Sequence, residues 1–158
     1  MSNTLVFLKD DDIWIQCIGG LIVNFGVAEF ASLQWIAKIQ GNASMFKSRR
    51  DTLNEKIKTL RQIIPDSKLS ESNKINSVKL WDEVISHAVL RNQIAHNPLC
   101  FVPDEKTGEV SLSPINVNKI DKDGVIKSPR VHYLQVAKAA RRMAEINHAL
   151  NLIFWSEP

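Results

Sequence analysis

Trp14, Ile18, Leu21, Phe25, Ala28, Ser32, Trp35 and Ile39 recur at alternating spacings of four and three, which lines them up along one stripe of a helix. Asp10, Asp11 and Asp12 stand where that helix should begin, because a carboxylate there accepts orphan backbone N–H groups and meets the positive end of the dipole. Gly41-Asn42 should end it. Gly19, Gly20 and Gly26 weaken the helix intrinsically, so they imply the close approach of another helix, from the same chain or from a second copy.

A second helix is predicted from about Ser44 to Ile64, with Phe46, Leu53, Ile57, Leu60 and Ile64 pointing inward and Pro65-Asp66-Ser67 breaking it. Ser70 and Asn73 open a third, in which Ile75, Val78, Trp81 or Asp82, Ile85, Ala88, Asn92 and Ala95 share one side. Pro98 disfavours helical geometry at Asn97, so this helix should stop near His96. From Leu99 to Pro129 the helical period is lost. Pro103, Gly108, Pro114 and Gly124 punctuate short β-leaning runs, and a hairpin would turn at Lys106-Thr107-Gly108. Ser128-Pro129 would start a last helix running to about Trp155, its core stripe made by Val136, Ala140, Met143, Asn147, Leu150 and Phe154. Its many alanines allow tight helix packing.

These elements predict an all-α fold: one domain over residues 1–158, a four-to-five-helix up-and-down bundle with a long loop or small β-hairpin, an excursion over about 99–129, before the last helix. The 158 residues, 44% hydrophobic and 23% charged, are enough to bury a core and are not the composition of a disordered chain. No Gly-rich phosphate loop, dinucleotide fingerprint or paired metal-ligand spacing occurs, so neither a cofactor nor a metal is expected.

Cys17 and Cys100 are too few and too far apart for a disulfide framework or zinc site, which suits a reducing cytoplasm. Three aspartates, and no basic stretch, precede the longest apolar run, unlike a secretory signal. That run is interrupted by Gln16, Asn24, Glu29 and Gln34, which argues against a membrane span. A cytoplasmic protein is the expectation. The net charge of +3 permits attraction to nucleic acid without demonstrating it. Lys47, Arg49 and Arg50, with Lys56, Lys58 and Arg61 following, could meet an RNA backbone, although each taken singly reads as a solvated helix face.

The densest chemistry is Leu90-Arg91-Asn92-Gln93-Ile94-Ala95-His96-Asn97-Pro98. Asn92 and His96, four apart, share a helical face. Arg91 and His96 diverge by roughly 140° on an ideal helix, but the long Arg side chain can curl toward the terminus. An imidazole gives or takes a proton near neutrality, and a guanidinium supplies fixed charge and bidentate donors for phosphate oxygens. The set suits phosphodiester cleavage: His96 moves a proton at the ribose 2′-OH or the leaving 5′-oxygen, Arg91 stabilises the phosphorane, and Asn92 orients the phosphate or the imidazole. One His cannot easily perform both transfers, so a two-fold homodimer bringing a second His96 and Arg91 is expected. The competing reading is structural: His96 stabilises a helix C-terminus and Arg91 sits in a surface ion pair.

Arg91-Asn92-x3-His96 resembles the signature of the HEPN superfamily, an Arg followed by a polar residue and, after four to six intervening positions, a His. The bundle layout resembles that superfamily too. The resemblance implies a metal-independent endoribonuclease with Arg91, Asn92 and His96 catalytic, dimerising to form a composite cleft, as in toxin–antitoxin, abortive-infection and other antiphage systems, with an antitoxin or defence protein as partner. One departure stands out: Pro98 occupies the position, two after the His, at which HEPN toxins paired with a nucleotidyltransferase antitoxin carry a modified Tyr.

Glu29 and His87 are supporting candidates, the first as a hydrogen-bond partner of Arg91 or His96, the second as a residue one turn before Arg91 on the same face. A plain surface role suits Glu29 at least as well and is favoured for His87. His132 and His148 have no ligand-spaced neighbours, and the four tryptophans fit packing stripes. Two other classes stay open: a non-catalytic HEPN module binding nucleotide, RNA or protein, and a structural dimerisation bundle using Gly19, Gly20 and the Ala-rich last helix.

Overall fold

A computed structural model describes residues 11–97, 99–103, 106–108, 110–114 and 129–156. Among these, five helices and one two-stranded sheet follow in the order α1 Asp11–Gln40, α2 Asn42–Ser48, α3 Leu53–Ile63, α4 Glu71–His96, β1 Leu99–Pro103, β2 Val110–Pro114 and α5 Tyr133–Ser156. This is an all-α bundle with a small hairpin before its last helix.

The long α1 is the spine, packed against α5, α2, α3 and α4. Its stripe is buried as the spacing requires: Trp14, Leu21, Phe25, Ala28, Ser32 and Trp35 are shielded, with Ile36 joining them. Trp35 meets Trp81 of α4 edge to face at 6.1 Å and Phe154 of α5 at 6.0 Å, so three helices share one aromatic junction. Each fully buried aliphatic here, such as Leu60, Val84 or Ile146, contributes about 1.5–3 kcal/mol. Between α1 and α5 a polar clasp complements the apolar contact: Asn147 Nδ2 donates to the Asn24 carbonyl at 2.9 Å, and Asn24 Nδ2 donates to the Ala140 carbonyl at 3.4 Å. Gly20 lies beside Ala140, where an added Cβ would sit 3.7 Å from the alanine methyl. Gly20 and Ala140 therefore pack against each other within the chain. Gly19 and Gly26, by contrast, look into open space.

Several expectations need correction. The helix predicted over 44–64 is two helices, because Arg49–Thr52 break it and Thr52 starts α3 with a capping box: its hydroxyl accepts the Glu55 amide and the Glu55 carboxylate accepts the Thr52 amide. As a result Phe46, on the separate α2, is exposed. On α4 the buried stripe is Ser77, Trp81, Val84, Ala88 and Ile94; Ile75 is exposed, and so are Asn92 and Ala95. The inward arc is turned by about a residue because Trp81, rather than Asp82, anchors it.

α4 ends where expected, Asn97 being extended at φ −122° and ψ 145°. The hairpin pairs Leu99 with Pro114 through Pro103 with Val110, and Gly108, at φ 69°, supplies the left-handed residue of its turn. A bridge between Leu112 and Val131 holds the hairpin to the start of α5. That helix begins at Tyr133 rather than at Ser128-Pro129, since Val131 is drawn into the bridge. The expected roles of Asp10, Pro98, Gly124 and Ser128 fall outside the described residues.

The segment Asp12–Gln40 is long and apolar enough, by length and composition, to cross a membrane. One side of it is a core helix in this fold, which is compatible with a soluble protein.

Candidate active site

α4 carries its polar residues to its C-terminal end, and there the sequence cluster closes on itself. Arg91 Nη1 donates to Asn92 Oδ1 at 2.9 Å and lies 3.2 Å from His96 Nε2. A guanidinium has no acceptor, so the second contact is a hydrogen bond only when Nε2 is unprotonated and the imidazole carries its hydrogen on Nδ1. The angular divergence of the two positions is overcome by the length of the Arg side chain. Arg91 Nε is shielded and lacks an acceptor among the described residues. Asn97 ends the helix, its Nδ2 donating to the Gln93 carbonyl at 2.8 Å.

The cluster opens into a cleft of about 820 Å³ bounded by three elements. α4 contributes Ala88, Arg91, Asn92, Gln93 and His96; α1 contributes Phe25 and Glu29; the start of α3 contributes Thr52, Leu53 and Asn54. Asn92 and His96 are exposed and Arg91 half-buried, so a phosphate has room to reach them.

Glu29 does face this cleft, but its partner is neither Arg91 nor His96. Lys56, only 2% exposed, places its Nζ 2.9 Å from Glu29 Oε1. His87 does not line the cleft. It lies near Glu83, whose carboxyl is held below its ordinary value first by the bonds from Arg142 and, less, by the charge of His87. Lys47, Arg49 and Arg50 also lie away from the cleft wall; Arg49 instead borders a separate apolar groove with Phe30, Phe46 and Trp155.

At the cleft's far rim the α3 N-terminus already holds its own anion. Glu55 is kept below the usual carboxylate range by the Thr52 amide and then by the Thr52 hydroxyl. No group of His, Cys, Asp or Glu suited to a metal occurs among the described residues.

Searched against family models, curated proteins and solved structures, the chain matches none. Sequence reasoning missed Thr52, Leu53 and Asn54 as cleft residues. The Thr52-x-x-Glu55 spacing was the available signal, since it marks a helix start and therefore a loop that can turn toward α4.

Proposed function

We propose that this chain is an RNA-cleaving enzyme of HEPN type, a metal-independent endoribonuclease that works as a homodimer. The observation that carries the reading is the Arg91–His96 contact at 3.2 Å on the wall of an open cleft. Guanidinium and imidazole are then within reach of one phosphodiester, the first as charge stabiliser and the second as proton carrier.

Cleavage by the ribose 2′-OH needs one group to take its proton and another to give a proton to the departing 5′-oxygen. The 2′-oxygen bonds to phosphorus, the bond to the 5′-oxygen breaks, and a 2′,3′-cyclic phosphate and a 5′-hydroxyl result. Two proton-handling groups line the cleft: the Glu29 carboxylate would accept the 2′-OH proton, and His96, as an imidazolium whose Nε2 no longer accepts from Arg91, would give one to the leaving oxygen. The homodimer would bring two such clefts together. Asn92, bonded to Arg91 Nη1, fixes the guanidinium plane. Glu29 is paired with the buried Lys56 at 2.9 Å.

Support for a cytoplasmic toxin–antitoxin or antiphage setting is the resemblance of Arg91-Asn92-x3-His96 to the HEPN signature; a neutralising or defence protein would then be the partner. Incubating the chain in chelator with an RNA and with its all-deoxy counterpart tests the chemistry. Cleavage of the RNA alone, leaving cyclic phosphate ends, is expected.

A non-catalytic module is the second reading, favoured by one observation: Arg91 Nη1 is already engaged by Asn92 and His96 within the chain. Binding of RNA without any cleavage would select it.

A further inference from the structure

The side of α1 turned away from the core is largely apolar, interrupted by the exposed Gln16 and Gln34. Between Ile13 and Ala37 the sequence holds a single charged residue, Glu29, and that one belongs to the cleft. Ile15, Val23, Val27 and Phe30 stand in solvent, with Val23 65% and Phe30 63% exposed. Gly19 and Gly26 lie on the same arc with nothing near the place of a Cβ. At the C-terminal half of the helix this face deepens into a groove, flanked by Phe46 from α2 and by Trp155, 73% exposed, from α5.

We infer that this face binds the same face of a second copy, the two α1 helices running antiparallel about a two-fold axis near Gly26. The area suffices: the exposed parts of Ile15, Val23, Val27, Phe30, Phe46 and Trp155 amount to roughly 700–800 Å² per copy, close to what one partner buries in a standard stable interface. Charge selects the direction. Asp12 is exposed at one end of the face and Arg49 borders the groove at the other, so an antiparallel pair sets acid against base at both ends, whereas a parallel pair sets like against like. Shape agrees with charge. A groove borders the C-terminal half of α1, and a two-fold axis turns the exposed Ile15 and Val23 of each copy toward the other copy's groove. Val23 of one copy then packs by Phe30 of the other, and the glycines let the two backbones approach closely.

The homodimer is part of the proposed function, but its surface is argued here from exposure, shape and charge, so it can fail without the chemistry failing. It also bears on the cleft. Leu33 follows Glu29 by one turn, about 40° around the helix, so the interface runs along the rim that Glu29 occupies.

The oligomeric mass of the full chain is the test, read by sedimentation at micromolar concentration beside circular dichroism. The wild-type chain should be a dimer. Phe30→Glu and Gly26→Leu should each weaken it at least about tenfold with helical content kept, and Gly26→Leu guards against misfolding because its side chain meets open space in one copy. Ile75→Glu, which removes an exposed apolar residue elsewhere, should leave the dimer unchanged. A monomeric wild type overturns the inference, and so does a dimer indifferent to both α1 variants. A chain that stays monomeric but floats with phosphatidylcholine vesicles overturns it in favour of a membrane as the occupant.

Discussion

The Lys56 ammonium, 2% exposed, lies 2.9 Å from the Glu29 carboxylate, which is 47% exposed and faces the cleft. A buried cation is thus paired with a carboxylate that stays open to solvent. Glu29→Gln should lower RNA cleavage by about 10²-fold, in the range of a lost general base, and should destabilise the chain by roughly 1–3 kcal/mol because Lys56 loses its charged partner. Lys56→Met separates the two effects. An apolar side chain of similar length should keep stability within about 1.5 kcal/mol while cleavage still falls, as denaturant unfolding and initial rates would record.

Arg91→Lys keeps the charge and loses the fork. Cleavage should fall by roughly 10²–10³-fold, the usual loss for one transition-state donor. Stability should change by no more than about 0.5 kcal/mol. If Arg91 served only as a surface ion-pair residue, initial rates would not distinguish the variant from the wild type.

The α4–α5 contact is tied by Arg142, whose Nε and Nη2 meet the two Glu83 oxygens at 2.6 and 2.8 Å. These bonds hold the Glu83 carboxyl below its ordinary value of 4.5. Its folded value is lower than its unfolded one, so the pair adds stability above about pH 4.5 and loses it as the pH falls further. Both side chains are about two-fifths exposed, so screening limits the gain to about 1 kcal/mol. Urea midpoints of wild type and Glu83→Gln should differ at neutral pH and converge on acidification; a constant difference would contradict this.

Thr52 both caps α3 and lines the cleft. Thr52→Ala should cost about 1 kcal/mol of stability, and Thr52→Ser should restore most of it. Thermal or chemical unfolding of the two variants separates the lost cap from the lost methyl group.

Where the period was strong, the sequence was a reliable guide. The four-three spacing from Trp14 to Ile39 became α1 because burial of a single stripe dictates it, and Gly108 turned the hairpin because the turn needs a positive φ. The break at Arg49–Thr52 was hidden by apolar residues on either side, Phe46 and Leu53, that seemed to continue one helix. The site divided similarly. Arg91, Asn92 and His96 are close in sequence, and local helix geometry brings them together. Glu29 reaches the same cleft only through the packing of α1 against α3 and α4, and its pairing with Lys56, 27 positions away, has no local signature. The outward face of α1 was harder still: the stripe marks the covered side, but Val23, Val27 and Phe30 opposite it are apolar too and carry no local sign of what they meet.

The account rests on His96 moving a proton at an RNA phosphodiester beside Arg91. Single-turnover cleavage of an RNA oligonucleotide in chelator, wild type against His96→Ala, measures this most directly. The wild type should cut the strand and the variant should be slower by about 10²–10⁴-fold. Equal rates, or a wild type that leaves the RNA intact, would contradict it.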